Sequence, residues 1–178
     1  MKKYRGFIFA VVTIFLLTSC SNTIYFTKDM RYMLYNSKIP VSNVQFYNSR
    51  KIVLKRNLTY AETKVARGEI KLENGRYIEE IIIPKNTPGV AVSSGRNHIN
   101  VAFENGRNRD LTFSLNDRDL YQLTPQSWDN DYGKVVYDTL IYLLEPGSDK
   151  AVLKVRKDNI NNFERKKRVV KGVTVGRE

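Results

Sequence analysis

Two Asn-Gly pairs, each set between segments of alternating apolar and polar residues, constrain the fold of this chain most strongly. Asn and Gly adopt a positive φ angle at little cost, and the tight turn of a β-hairpin requires that angle at both central residues. The flanking segments are residues 69–73 and 77–83 around Asn74-Gly75, and residues 99–103 and 111–115 around Asn105-Gly106 and the polar stretch after it. The sequence therefore predicts two antiparallel hairpins.

The two hairpins share a sequence phrase. Residues 72–76 read Leu-Glu-Asn-Gly-Arg, and residues 103–107 read Phe-Glu-Asn-Gly-Arg. Such a match is typical either of an internal repeat, which divides a chain into two similar halves, or of two turns that arose independently. The sequence leaves both interpretations open.

Short segments with β-branched and aromatic residues continue through most of the remaining chain. They are residues 44–47, 52–55, 90–92, 134–137, 139–144 and 151–155, with residues 169–170 and 173–175 as a final edge strand. Pro88-Gly89 and Pro146-Gly147 mark turns between them, and no helical pattern of ten or more residues follows Pro40. This spacing of short strands and turns favours an all-β barrel or sandwich.

One short helix is predicted near the N-terminus, over residues 29–35. Met30, Met33 and Leu34 are spaced to lie on one helix face, and Asp29 is the candidate N-cap. We therefore predict a mainly β fold, a small barrel or sandwich of short antiparallel strands, with one short N-terminal helix.

The first twenty residues have the layout of a secretory signal. Lys2, Lys3 and Arg5 precede a short uncharged apolar run over residues 7–17. A helix that spans a bilayer needs about 20 apolar residues, so this run is too short for a stable span. Residues 17–20 read Leu-Thr-Ser-Cys, which resembles the lipobox of bacterial lipoproteins. The resemblance implies removal of residues 1–19 and a lipid on Cys20.

The residues around Cys20 extend this interpretation. Cys20 is the only cysteine, and acylation removes a lone thiol that is a liability in an oxidising compartment. No aspartate follows it directly, so the usual inner-membrane retention signal is absent, and the first acid is Asp29. Bacteroidota lipoproteins of the cell surface tend to carry acids there. By resemblance we expect a Bacteroidota-like lipoprotein of the outer membrane, on its periplasmic face rather than on the cell surface.

Four segments follow from these observations: a signal peptide over residues 1–19, a lipidated tether over 20–28, a β-rich periplasmic domain over 29–163 and a basic tail over 164–178.

Without residues 1–19 the chain has 27 basic and 18 acidic side chains, a formal charge of +9. Such a charge suits nucleic acid, but export argues against that partner. The tail is interpreted either as a solvated segment or as one that docks on an acidic partner or surface.

Residues 82–115 resemble a small bacterial barrel of the Src-homology-3-like type. Such modules have a Pro-x-x-x-Gly loop before a strand, which here corresponds to the loop from Pro84 to Gly89, then a Val-x-Phe-x-x-Gly hairpin, here residues 101–106, and Leu-x-Phe, here residues 111–113. The resemblance implies a barrel and binding of a peptide or of cell wall, and it implies no catalysis.

The sequence offers little for catalysis or metal binding. His98 is the only histidine, which disfavours a transition-metal site and a histidine-assisted nucleophile. Residues 129–131, Asp-Asn-Asp, lack the longer ligand spacing of a calcium loop and are predicted to form a turn. Glu79 and Glu80 are adjacent on a predicted strand and point to opposite faces, so they cannot work as an acid/base pair. We expect no enzyme and no cofactor.

Three aromatic residues and one threonine are the candidate site residues beside Cys20. Trp128, with Tyr121 and Tyr132 near it in sequence, is either a core residue or a contact for a ligand or partner. Asp138-Thr139-Leu140 is similar to the O-glycosylation motif of Bacteroidota exported proteins. That resemblance implies a glycan on Thr139, which requires an exposed side chain.

These features favour a lipid-anchored envelope protein that acts as a structural or accessory binding component of an envelope or secretion assembly. Small lipoproteins of Bacteroidota secretion machines are similar in size and layout, and an accessory lipoprotein of a type VI-like secretion apparatus is one specific form. The expected partners are membrane lipid through Cys20 acylation and an envelope protein. The alternative is a glycan- or peptidoglycan-binding module that stacks sugars on Tyr and Trp side chains.

Overall fold

The structure, a computed structural model, describes residues 22–64 and 66–164, with side chains up to residue 160. Cys20, the signal peptide, the strand predicted at 169–175 and all of the basic tail except Glu164 lie outside the described residues.

The described residues form thirteen strands and two α-helices. The strands are β1 Thr23–Tyr25, β2 Gln45–Asn48, β3 Ile52–Leu58, β4 Glu69–Glu73, β5 Arg76–Ile83, β6 Pro88–Ser94, β7 His98–Ala102, β8 Asp110–Leu115, β9 Tyr121–Leu123, β10 Ser127–Asp129, β11 Tyr132–Tyr137, β12 Leu140–Leu144 and β13 Leu153–Arg156. The helices are α1 Lys28–Asn36 and α2 Lys157–Glu164.

These strands build two antiparallel sheets that pack face to face. The seven-stranded sheet has the order β1-β13-β2-β6-β7-β8-β9, and the six-stranded sheet has the order β10-β11-β12-β3-β5-β4. The core between them includes Phe46 and Phe113 from the first sheet and Leu54 and Tyr142 from the second. The prediction of a mainly β fold is confirmed, and of its two alternatives the sandwich is correct and the closed barrel is wrong.

The sandwich begins earlier in the chain than predicted. Residues 23–25 pair antiparallel with β13, and the Phe26 side chain is fully buried against the ring of Phe46 at a centroid distance of 5.1 Å. The tether predicted for residues 20–28 is therefore too long. The sequence signal for this strand is the alternation of Ile24 and Phe26 with Thr23, Tyr25 and Thr27.

The helices differ from the prediction in two respects. Thr27, and not Asp29, is the N-cap of α1, since its hydroxyl accepts a hydrogen bond from the Met30 N–H at 3.2 Å. The second helix, α2, was not predicted, because its sequence KDNINNFE is polar with Ile160 as its one buried residue up to position 160. The helix is in contact with β13.

The two Asn-Gly phrases have different structures. Asn74 and Gly75 have φ angles of 48° and 73° and form the predicted tight turn between β4 and β5. The second phrase lies in a longer loop, because the register of β7 and β8 ends at Ala102 opposite Asp110. The phrases also lie in different sheets, so they do not occupy equivalent positions, and residues 82–115 contribute to both sheets of the sandwich.

None of the helices in the described part of the chain is long and apolar enough to cross a membrane.

Candidate functional site

Two adjacent carboxylates on β5 are buried on opposite faces of the six-stranded sheet. The exposed fractions of Glu79 and Glu80 are 1% and 6%. Because neighbouring residues of a strand point to opposite faces, Glu79 lies on the face that carries the core, and Glu80 lies on the outer face with Lys55 and Lys71. A buried carboxylate requires compensating donors, and each of these two has its own set.

Glu79 accepts four hydrogen bonds. Its Oε1 receives the backbone N–H groups of Arg67 and Gly68, both at 2.8 Å. Its Oε2 receives the Arg56 Nε–H at 2.8 Å and the Tyr142 hydroxyl at 3.0 Å. The carboxylate thereby joins three strands of the sheet to the connection that leads into β4.

The connection between β3 and β4 is built to fold over Glu79. Thr59 and Glu62 exchange hydrogen bonds, from the Thr59 N–H to Oε2 at 2.8 Å and from the Glu62 N–H to the threonine hydroxyl at 3.4 Å, in a capping-box arrangement. Gly68 comes so close to β5 that a Cβ atom there would lie 2.7 Å from the Glu79 Cγ and from the Glu80 carbonyl oxygen. Only glycine permits this approach.

Burial and hydrogen bonds set the pKa of each carboxylate in this network. Burial raises the pKa of Glu79, but the hydrogen bonds from Gly68, Arg67, Tyr142 and Arg56 outweigh it, and the net pKa lies below its ordinary value. Backbone and side-chain hydrogen bonds from Thr59, together with Arg56, lower the pKa of Glu62 to about 2. Both carboxylates are therefore ionised at neutral pH.

A cleft of about 630 Å³ opens beside this network, between the six-stranded sheet and the loop that joins β7 to β8. Its far wall holds Arg109, which pairs with Asp138 at 3.1 Å and with Glu104 at 3.5 Å. Glu104 also accepts the Tyr137 hydroxyl at 2.8 Å, and Arg67 reaches across the cleft to Asp138 at 3.0 Å. We call this the Glu79 cleft.

Thr139 lies on the rim of the Glu79 cleft, in a tight turn between β11 and β12. The sequence predicts Thr139 as the first residue of a strand, but β12 begins at Leu140, and the Thr139 side chain is exposed. Asp138 and Thr139 have φ angles of 50° and 69°, values that a β-branched residue rarely adopts. Exposure satisfies the steric requirement for the predicted O-glycosylation, which stays a prediction.

An apolar shelf adjoins the Glu79 cleft where β4 and β5 extend beyond the sandwich. Leu72 and Tyr77 are directly opposite each other on the two strands, and their exposed fractions are 66% and 37%. Ile70 lies on the same face opposite Glu79, and Tyr60 packs on Tyr77 with ring centroids 6.4 Å apart. We call Tyr60, Ile70, Leu72 and Tyr77 the hairpin shelf. The outer edge of β4 carries no further strand among the described residues.

The three aromatic residues predicted as a contact surface are not brought together. Tyr121 is a core residue with an exposed fraction of 1%, and its hydroxyl accepts a hydrogen bond from Arg31, so its assignment as a contact is wrong. Trp128 and Tyr132 are about half exposed on the β10–β11 hairpin. Trp128 is opposite Gly133 and Tyr132 is opposite Asp129, so the two rings project from opposite faces of that hairpin.

The remaining polar candidates have ordinary surroundings. His98 is exposed at the start of β7, and Asp129 pairs with Lys134 at 2.9 Å next to a turn in which Asn130 has a φ angle of 51°. In the described part of the chain, no group of three or more His, Cys, Asp or Glu side chains could hold a metal ion.

Comparisons with protein families, curated proteins and solved structures found no match to this chain.

Sequence reasoning missed Arg56, Glu79 and the hairpin shelf as site residues. One signal for the first two was present, since two adjacent carboxylates in a strand that continues as Ile81-Ile82-Ile83 indicate buried groups that need partners. A second signal was Thr59-x-x-Glu62, which is the sequence form of a capping box. No sequence signal identifies the hairpin shelf. Alternation predicts that one face of a strand is apolar, but it does not show whether another layer of the fold covers that face.

Proposed function

We propose that this protein is a lipid-anchored binding component of a bacterial envelope assembly, held at a membrane through Cys20. The single observation that carries the binding role is the hairpin shelf beside the Glu79 cleft. Exposed apolar side chains that are contiguous and rimmed by polar groups are typical of protein–protein contacts. The proposed partner is therefore an envelope protein.

The arrangement suits a partner segment in extended conformation. The free edge of β4 offers backbone hydrogen-bonding groups to an added strand, which is a common mode of peptide recognition. Ile70 and Leu72, which are two residues apart on β4 and share a face, would then contact alternate apolar side chains of that segment. Arg67 and Asp138 line the Glu79 cleft with side chains that are 70% and 30% exposed, and they would pair with its polar side chains.

Leu72→Lys tests the docking surface. We expect crosslinked pull-downs from intact envelopes to lose the defined partner, since a charge replaces the most exposed aliphatic side chain of the hairpin shelf. The matched control is Ile141→Lys, a substitution at a 63% exposed aliphatic residue on the opposite face of the same sheet. Equal recovery of the partner with both variants would contradict the assignment.

The anchor has a separate test. A fatty-acid probe should label the wild-type protein and should fail to label Cys20→Ala, because only the thiol can carry the thioether-linked lipid. An unchanged label in Cys20→Ala would overturn the anchor. Since Cys20 is the only cysteine, no other thiol could account for the signal.

The glycan-binding alternative lacks a shared aromatic surface, because Tyr121 is buried and Tyr132 projects from the face of the hairpin opposite to Trp128. It retains the exposed ring of Trp128. Recovery of glycan alone in the same pull-downs, abolished by Trp128→Ala, would favour this alternative over the protein partner.

A further inference from the structure

A buried lysine without a carboxylate partner lies on the outer face of the seven-stranded sheet. Lys154 is directly opposite Tyr25 on one side and Tyr47 on the other. Its exposed fraction is 9%, and its Nζ donates one hydrogen bond, to Asn86 Oδ1 at 2.9 Å. An ammonium group has three protons to donate. Within the described chain, no carboxylate forms an ion pair with Lys154, so its charge is uncompensated.

A cleft of about 390 Å³ surrounds this side chain. Its lining residues are Thr23, Ile24, Tyr25, Ser49, Lys85 and Lys154, so both charges in the lining are positive. Burial, and to a smaller extent the neighbouring Lys85, lower the pKa of Lys154. Two ammonium groups that share a concave surface attract an anion, which would relieve their repulsion.

A second cleft, of about 600 Å³, adjoins the first and shares Tyr25 and Ser49 with it. It adds Arg50, Arg118 and Lys150, and the one acid in its lining is Asp117. We call the two clefts together the basic double cleft. Its five cations and one carboxylate form a local excess of positive charge on one side of the sandwich.

The basic double cleft lies beside the start of the fold. Thr23, Ile24 and Tyr25 of β1 line it, and Thr23 is three residues after Cys20. An extended chain spans at most about 3.5 Å per residue, so the lipid-bearing position lies within about 10 Å of Thr23. An anchor at Cys20 therefore holds this surface next to lipid headgroups.

We propose that the basic double cleft binds the phosphate group of an anionic membrane lipid. This inference rests on the proposed anchor at Cys20, and it adds a second, electrostatic contact to the same membrane. Phosphate oxygens match the donors present, which are the ammonium groups of Lys85 and Lys154 and the hydroxyl groups of Ser49 and Tyr25. A lipid anchor combined with a basic patch is more stable than either alone, and here the patch also fixes which side of the sandwich faces the membrane.

The test uses the purified, lipidated protein in lipid nanodiscs. One set contains phosphatidylcholine alone, one contains added phosphatidylglycerol, and one contains phosphatidylcholine with inorganic phosphate in the buffer. The measurement is the rate at which an amine-reactive reagent acylates the exposed Lys85, read by mass spectrometry. Lys64, exposed on the connection before β4, is the reference in the same sample.

We expect phosphatidylglycerol to slow the acylation of Lys85 by about fivefold relative to Lys64, in line with the attraction of one basic residue to an anionic surface. Arg118→Gln and Lys154→Met should each reduce that protection, and Arg118 is exposed, so its variant should fold normally. Equal acylation of Lys85 in neutral and anionic discs would overturn the proposal. Protection by inorganic phosphate but not by phosphatidylglycerol would also overturn it, in favour of a free anion.

Failure of the anchor gives a different result from failure of this inference. Without a lipid on Cys20, the protein fails to enter discs of either composition and carries no fatty-acid label. With the anchor intact, the protein enters both kinds of disc, and only the protection of Lys85 decides whether the basic double cleft binds phosphate.

Discussion

Glu79 shows how one buried carboxylate can organise a surface that is open to solvent. Its four hydrogen bonds come from two neighbouring strands, β3 and β12, and from the connection between β3 and β4. Arg56, its charged partner, also pairs with Glu62 at 2.8 Å and lies over the Tyr142 ring at 5.7 Å. The hairpin shelf therefore depends on a residue that a partner protein would scarcely touch.

Glu79→Gln should destabilise the protein by about 3 kcal/mol, because it breaks a buried ion pair and leaves Arg56 with only the partly exposed Glu62 as a charged partner. The substitution keeps the side-chain size and removes the charge that Arg56 requires. Urea denaturation at neutral pH measures the change. Glu73→Gln, at an exposed position of β4, is the control and should change the free energy of unfolding by less than about 0.5 kcal/mol.

The difference in unfolding free energy between the wild type and Glu79→Gln should also depend on pH. The folded-state pKa of Glu79 is depressed, so its contribution to stability is complete above its ordinary value of 4.5 and is lost as the pH falls through the folded-state pKa. The difference in unfolding free energy between wild type and Glu79→Gln should therefore shrink as the pH falls below 4.5. Denaturation curves over an acid series measure it. A difference that stays constant to the lowest pH would show that the charge of Glu79 is not responsible.

Residue identity alone predicted part of this site. The opposite faces of Glu79 and Glu80 followed from strand alternation, but the burial of both did not, because the partners Arg56, Lys55 and Lys71 come from β3 and β4. Which charged residues meet depends on strand order, and local sequence does not determine that order. For the same reason Tyr121 could not be distinguished from Trp128 before the layers were known.

At the scale of elements, the turns were easier to predict than the helix ends. Asn74-Gly75 identified its hairpin because few residue pairs accept two positive φ angles. Asp138 and Thr139 also have two consecutive positive φ angles, although these residue types rarely adopt them. Contacts of Asp138 with other parts of the chain stabilise this turn. The Asp138 N–H donates to the Asn108 carbonyl oxygen at 2.7 Å, and its carboxylate pairs with Arg67 and Arg109. Tertiary contacts therefore outweigh the local preference at this turn.

The N-cap of α1 can be decided by experiment. Thr27→Ala should destabilise the protein by about 1 kcal/mol, because it removes the acceptor for the Met30 N–H. Asp29→Ala should cost less, about 0.5 kcal/mol, since Asp29 only interacts with the positive end of the helix dipole. Thermal unfolding of both variants gives the comparison. A larger loss of stability for Asp29→Ala than for Thr27→Ala would identify Asp29, the residue predicted from the sequence, as the N-cap.

For the complete fold, the alternation of apolar and polar residues predicted most of the strands, but it did not distinguish a barrel from a two-layer sandwich. A barrel and a sandwich have the same alternation of inward and outward residues, and they differ in whether the sheet closes on itself. Here the chain changes sheet four times among the described residues, after β2, β5, β9 and β12. Those changes place β4 and β10 at the edges of one sheet and β1 and β9 at the edges of the other, which is why the hairpin shelf and the basic double cleft lie at different edges.

The pairing of β1 with β13 has a consequence for how the chain folds. Its one neighbour in the sheet, β13, ends at residue 156, so the first strand cannot be placed until nearly the whole described chain is available. Contacts between residues so far apart in sequence slow folding. In the proposed export the chain would pass N-terminus first through a narrow pore, and β1 would have no strand to pair with until β13 had emerged.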